Sequence, residues 1–160
     1  MEIGFLENFK LCVTKKYVNF SGRASKQEFW YFVAMYILIG IFIRILEVTI
    51  LSRLPNLLRI YMIGVIIIFQ LFLFVPYLSV LVRRVHDNNK SAWILLLPVL
   101  FLASSIIFIF VSEKGVKFTI PLLIGYLISV IYVFYLLVKK GTVGPNRYGE
   151  DPYLDENLEI

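Results

Sequence analysis

The chain holds one cysteine, Cys12, and one histidine, His86. A lone cysteine excludes an internal disulfide, a dithiol redox pair and a thiolate metal site, so quinone-linked disulfide chemistry is ruled out. Intramembrane proteolysis by a serine–histidine dyad needs its imidazole inside the bilayer. His86 sits instead in a dense polar hairpin, Val82 to Trp93, between two apolar runs. Charge is scarce too. Asp, Glu, Lys and Arg make up 17% of the residues, below the roughly one quarter of soluble domains. Short strands alternating in polarity are absent, which excludes an outer-membrane barrel. Glu2, Glu7 and Lys10 interrupt any apolar core at the start and no small-residue cleavage site follows, so the first residues do not read as a secretory signal.

What is abundant is apolar surface. Hydrophobic residues are 59% of the 160 and the mean hydropathy is +0.81, more than a water-soluble globule of this size can bury. They come in blocks approaching twenty residues, the length that crosses a bilayer as a helix satisfying its own backbone. The expected fold is an all-α membrane protein, one domain over residues 1–160, with four transmembrane helices at about 29–51, 60–82, 92–111 and 118–138. An interfacial segment over 1–24 precedes them, and a tail over 139–160 follows.

In the first segment Phe5, Phe9, Cys12, Val13, Tyr17 and Phe20 recur at roughly helical spacing, with Lys10, Lys15 and Lys16 between them. That predicts a short amphipathic helix in the headgroup zone. Asn19-Phe20-Ser21 matches the glycosylation sequon but falls on the cytoplasmic side, and is discounted. Ser25 and Glu28 have capping-box spacing, so the first span should start near Ser25 and enter lipid at the aromatic collar of Phe29, Trp30, Tyr31 and Phe32. Arg44 and Glu47 stand three apart in the last third of that span, where they can pair. Gln70 lies near the middle of the second span, and Pro76 should bend it. Ser91 is the expected cap of the third, with Pro98 about two turns in as a second kink. Pro121 falls in the first turn of the fourth, where proline is tolerated, and Gly125 with Ser129 gives a small-residue pair for close helix approach. The second and third spans should be neighbours, because the hairpin joining them is short.

Orientation follows from Lys and Arg. Lys10, Lys15, Lys16, Arg23 and Lys26 precede the first span, Arg83, Arg84 and Lys90 sit in the central hairpin, and Lys139, Lys140 and Arg147 in the tail. The other side has Arg53, Arg59, Lys114 and Lys117, with Arg44 inside a span. Eleven against five places both termini and the hairpin in the cytoplasm. Topology and contact with anionic headgroups account for the net charge of +5, and nucleic acid is not needed to explain it.

Three polar stretches share that side: Phe20-Ser21-Gly22-Arg23 through Glu28-Phe29-Trp30, then Arg83-Arg84-Val85-His86-Asp87 through Ser91-Ala92-Trp93, then Asn146-Arg147-Tyr148-Gly149-Glu150-Asp151-Pro152. In this order they closely resemble the domain of unknown function 805 family of bacterial membrane proteins. Its members carry a G-R-x-x-R-x-E-[FY]-W start, an R-R-x-H-D-x-x-x-S-G-W hairpin and an N-x-[YF]-G-x-D-P tail. The likeness covers nearly the whole chain. Lys26 stands where arginine is frequent, Asn89 and Ala92 where glycines are usual, and Ile94 where a second tryptophan is common. Asparagine tolerates the left-handed conformation a tight turn needs, so Asn89 is a mild departure. The resemblance implies four helices in the bacterial inner membrane and supplies no molecular activity.

The expected site is one cytoplasmic-face polar cluster. Arg23, Arg83, Arg84 and Arg147 would be balanced by Glu28, Asp87 and Asp151, with His86 and Asn146 among them and Trp30, Trp93 and Tyr148 as interfacial anchors. Arg44, Glu47 and Gln70 are the intramembrane polar residues. No catalytic, cofactor-binding or metal-ligating set stands out. The expected partner is a bilayer with anionic headgroups, with another membrane protein or a second copy as further candidates. The expected function is a non-catalytic integral scaffold or an envelope- or stress-related component. The alternative is a small-molecule or ion transporter or channel subunit. An enzyme acting on lipid headgroups has least support, since Asp87 alone makes no divalent-metal site.

Overall fold

The computed structural model describes residues 4–111 and 115–153. Expectations for 1–3, 112–114 (with Lys114) and 154–160 lie outside the described residues. Among those described there is no β-strand, and four helices are long and apolar enough to cross a membrane.

The first helix, α1, spans Phe5–Val13 and is shorter than its pattern predicts. Thr14 closes it: its amide and its hydroxyl both donate to the Lys10 carbonyl, at 3.1 and 2.6 Å. Tyr17 lies in the turn beyond, and Phe20 in the irregular segment after it. Asn8 and Cys12 are buried, Phe9 stacks on Phe32, and Leu6 is left exposed, so α1 docks on the membrane helices by one face. Gly22, at φ +82°, then turns the chain into the first span.

That span is α2, Lys26–Thr49, capped by Ser25, whose Oγ accepts from the Glu28 amide at 3.1 Å. The reciprocal half of the capping box does not form. Glu28 pairs with Lys16 and Arg83 instead, and two charge-assisted bonds outweigh one neutral amide. A 3-10 turn, Leu51–Arg53, leads into α3, Asn56–Asp87. Its 32 residues make about 48 Å of helix, against roughly 30 Å of hydrocarbon. The helix therefore projects past its apolar stretch, carrying Arg83 to Asp87 about one and a half turns into the cytoplasm.

Pro76 lies inside α3 and is buried. It has no amide to give the Phe72 carbonyl one turn earlier. Tyr17 supplies the missing donor, its hydroxyl 2.8 Å from that oxygen. One turn further on, the Ser79 hydroxyl lies 2.6 Å from the Asn19 carbonyl and 3.0 Å from that of Lys16. The segment after α1 is thus fastened along the proline turn, which is how spanning helices tolerate a lost backbone bond.

After α3 the chain reverses through Asn89, at φ +55°, the left-handed position expected of it. The third span opens with a 3-10 turn, Ala92–Leu95, before α4, Leu96–Val111. Two expectations change as a result. Ser91 makes no side-chain cap; its carbonyl closes the tight first turn by accepting from the Ile94 amide. Pro98, expected two turns in as a kink, falls in the first turn of α4, where an amide has no α-helical partner to lose. The fourth span, α5, runs Gly115–Val138. It starts before its apolar run, so Pro121 sits in the second turn rather than the first.

The second and third spans are not the lateral neighbours expected. The α4 helix packs along α5, and α3 packs along α2, touching the third span mainly at its 3-10 turn. Gly125 explains the first pairing, since a Cβ there would fall against the Phe101 ring of α4. Polar bonding explains why α4 is not beside α3. Arg84 and Asn88 donate to the carbonyls of Leu137 and Leu136, at 3.1 and 2.8 Å, drawing the end of α5 rather than α4 against the cytoplasmic end of α3. The outward rows, such as Leu38, Phe42 and Ile45 on α2, remain exposed for lipid.

Candidate functional site at the cytoplasmic face

Residues from the three polar stretches meet at one end of the helices. At the centre is Asp87, fully buried on the last turn of α3. One of its carboxylate oxygens accepts from Arg23 Nε at 2.9 Å, with Arg23 Nη2 at 2.8 Å, and the other accepts from Arg84 Nη1. Both arginines are themselves buried. Their remaining nitrogens reach main-chain oxygens: Arg23 to Gly144 and Thr142, each at 2.6 Å, and Arg84 to Leu137, Lys139 and Ala24. Asp151 completes the group 3.8 Å from Arg23 and accepts from the Gly144 amide at 2.7 Å. Burial pushes the Asp87 carboxyl above its ordinary value, and the two guanidiniums oppose that push.

The tail is laid against this centre. Thr142 donates its amide to the Asp87 carbonyl at 2.9 Å, with its hydroxyl at 3.1 Å. Asn146 donates to the His86 carbonyl at 3.1 Å, and its side-chain oxygen accepts from the Tyr148 amide. Tyr153 Oη accepts from the Lys26 amide at 2.8 Å, serving one of the unpaired donors that begin α2. Gly141 has no room for a side chain, since a Cβ there would overlap the Asp87 carboxylate.

His86 does not pair with Asp87. Its Nδ1 lies 3.3 Å from the Gly22 carbonyl, so Nδ1 carries the proton, and its ring stacks on Tyr148 at 3.8 Å and 4°. The Arg147 guanidinium lies over Tyr148 at 4.7 Å and takes no carboxylate partner among the described residues. Burial holds His86 below its ordinary 6.5; the Gly22 carbonyl opposes this, and Arg147 adds to it. A cavity of about 400 Å³ opens beside this stack, walled by Val82, His86, Trp93, Leu96 and Tyr148.

Arg83 and Glu28 form a second group, facing α1. The Arg83 guanidinium bonds Glu28 Oε1, which also takes Lys16 Nζ at 3.0 Å. Asn8 donates to the Glu28 carbonyl at 2.9 Å. Nε and Nη2 of Arg83 are buried without a hydrogen-bond partner among the described residues. Burial and the Glu28 charge push the Cys12 thiol up to about 11, which keeps it protonated and unreactive.

The single cluster expected is therefore two. Arg23, Arg84, Asp87, Asn146 and Asp151 converge on the tail, while Arg83 and Glu28 converge on α1. Trp30 packs edge-on against Phe29 and Phe134, and Trp93 is 76% exposed and outside both groups. Arg44 and Glu47 pair at 2.6 Å at the far end, and Gln70 of α3 lines a groove with Arg44. Sequence reasoning missed Asn8, Lys16, Tyr17, Ser79, Gly141, Thr142 and Tyr153. Only the aromatic spacing of the N-terminal segment and the glycine after Lys140 hinted at them. Among the described residues no three His, Cys, Asp or Glu side chains are placed to hold a metal ion.

Four lipid-crossing helices, with their arginine-bearing stretches interlocked at one end, define a multi-pass membrane protein with a latched cytoplasmic face. The particular family follows from comparison. The family model described as Protein of unknown function (DUF805) matches residues 17–150, and the chain belongs to that family. It is similar to the inner membrane protein YhaI of Escherichia coli K12, 31% identical over 148 residues, which span 92% of this chain and 97% of the relative. It is also similar to the inner membrane protein YhaH of the same organism, 31% identical over 146 residues, spanning 91% and 96%. The protein is thus a multi-pass protein of the bacterial inner membrane. No solved structure matches it.

Proposed function

We propose that the chain is a non-catalytic integral scaffold of the inner membrane, an envelope- or stress-related component whose latched cytoplasmic face receives another membrane protein or a second copy. One observation carries this reading. All three nitrogens of both Arg23 and Arg84 are engaged by the chain's own oxygens, and so are both oxygens of Asp87. Groups so fully committed hold a shape and have nothing left for a substrate. The same commitment speaks against an enzyme acting on lipid headgroups.

Quantified co-purification from native membranes tests it, with wild type beside Asp87→Asn. The scaffold reading expects one partner at fixed stoichiometry with wild type and its loss with the variant. Wild type recovered alone and monomeric overturns it. Transport or channel activity is the second reading, favoured by one observation: Arg44 and Gln70 line a common groove between α2 and α3. Solute flux through reconstituted wild type, lost in Glu47→Gln, would replace the scaffold reading with this one.

A further inference from the structure

At the end of the helices opposite the latch, two cavities between α2 and α3 share one residue. The first, about 630 Å³, is an apolar groove walled by Ile37, Gly40, Ile41, Ile45 and Val48, with Arg44 on its rim. Its volume lies within the roughly 300–1,000 Å³ of ligand clefts. The second, about 370 Å³, is lined by Leu51 and Ile63 and carries the charged groups of Arg44, Glu47 and Arg59 with Ser52. From Thr49 to Ile37 the groove follows about 18 Å of helix, close to the half-thickness of a hydrocarbon core of roughly 30 Å. Gln70 marks its inner end, leaving the isoleucines to line its length.

We propose that these cavities form one binding site for an anionic phospholipid of the outer leaflet, its phosphate in the Arg44–Arg59 pocket and one acyl chain along the groove. Charge selects the head. Two guanidiniums face a single carboxylate, and the Arg44 side chain is 73% exposed despite its bond to Glu47. Shape selects the chain. Gly40 has open space where a Cβ would stand, so the groove floor is bare backbone rather than packed side chains. A second copy is the poorer occupant. Copies inserted the same way place their arginines at the same depth, so the pocket would meet its own charge.

The test uses purified full-length protein in phosphatidylethanolamine vesicles containing phosphatidylglycerol with a photoactivatable acyl chain, followed by peptide mapping. The site expects labelling concentrated on residues 37–48, about fivefold above that from an equally labelled phosphatidylcholine, the preference one arginine confers near an anionic lipid. Gly40 has open space at the Cβ position, so Gly40→Phe places its ring in the groove and should abolish this labelling. Arg44→Gln should erase the headgroup preference. Ile131→Phe, on the exposed face of α5, should change neither. Unchanged trypsin protection of the tail shows that each variant is folded. Equal labelling by the two lipids, labelling no denser than on α4, or labelling indifferent to Gly40→Phe overturns the proposal.

Discussion

Replacing Asp87 by asparagine keeps the side chain's shape and removes the charge that two buried arginines share. The three side chains are at most 1% exposed, so water has no access to relieve the change. Removing one partner of a buried ion pair costs about 3–5 kcal/mol. Asparagine also turns an amide N–H toward a guanidinium where an oxygen stood, so neither arginine keeps its orientation. The tail hangs from those arginines through the carbonyls of Lys139, Thr142 and Gly144. If half of the loss falls on the tail, about 2 kcal/mol, its opening rises more than about tenfold. Trypsin acting on inverted membrane vesicles reads this directly, because cleavage after exposed Arg147 follows the open population when reclosing is fast. The expected result is at least about tenfold faster cleavage and a lowered Tm in detergent. Cleavage within about twofold of wild type, with Tm unchanged, would refute the reasoning, since the carboxylate would then not be holding the arginines.

Three further outcomes follow from neighbouring contacts. Gly141→Ala forces a methyl into the Asp87 carboxylate and should lower stability by about 1–3 kcal/mol, read as a drop in Tm, while Val143→Ala, at an 86% exposed position, should be close to neutral. Because burial keeps folded His86 below 6.5, the unfolded chain takes the proton first as pH falls through that value, and stability declines. Tm measured between pH 7.5 and 5.5 should therefore fall more for wild type than for His86→Gln. Tyr17→Phe leaves the Phe72 carbonyl without its donor and should cost about 1 kcal/mol. In a Pro76→Ala background the restored amide serves that carbonyl, and the same change should cost little. Equal losses in both backgrounds would sink the account of the proline turn.

The spans were legible because lipid demands long apolar runs, and Arg23, Arg84, Asp87 and Asp151 were legible because three polar stretches fell on one side. Partner choice was not. Glu28 follows capping-box spacing, yet only folding shows that Lys16 and Arg83 outcompete the helix end for its carboxylate. Arg147 counts as a charge in the sequence, whereas in the fold its partner is the face of Tyr148. Pro98 reads as a kink until the 3-10 turn before it moves the start of α4. Helix order was hidden for a related reason. Short loops say who is adjacent in the chain, but main-chain oxygens at the end of α5, invisible to any side-chain pattern, decide what lies beside the cytoplasmic end of α3.

The reach of Arg23 to Gly144 has a bearing on how the chain is made. These residues are 121 positions apart, with all four spans between them. A ribosome delivers the arginine long before its acceptor exists, so during insertion the Arg23 guanidinium must wait hydrated at the membrane surface. The seal forms only when the last stretch emerges, and a chain truncated before Gly141 would carry its unfinished inner face exposed to cytoplasmic proteases.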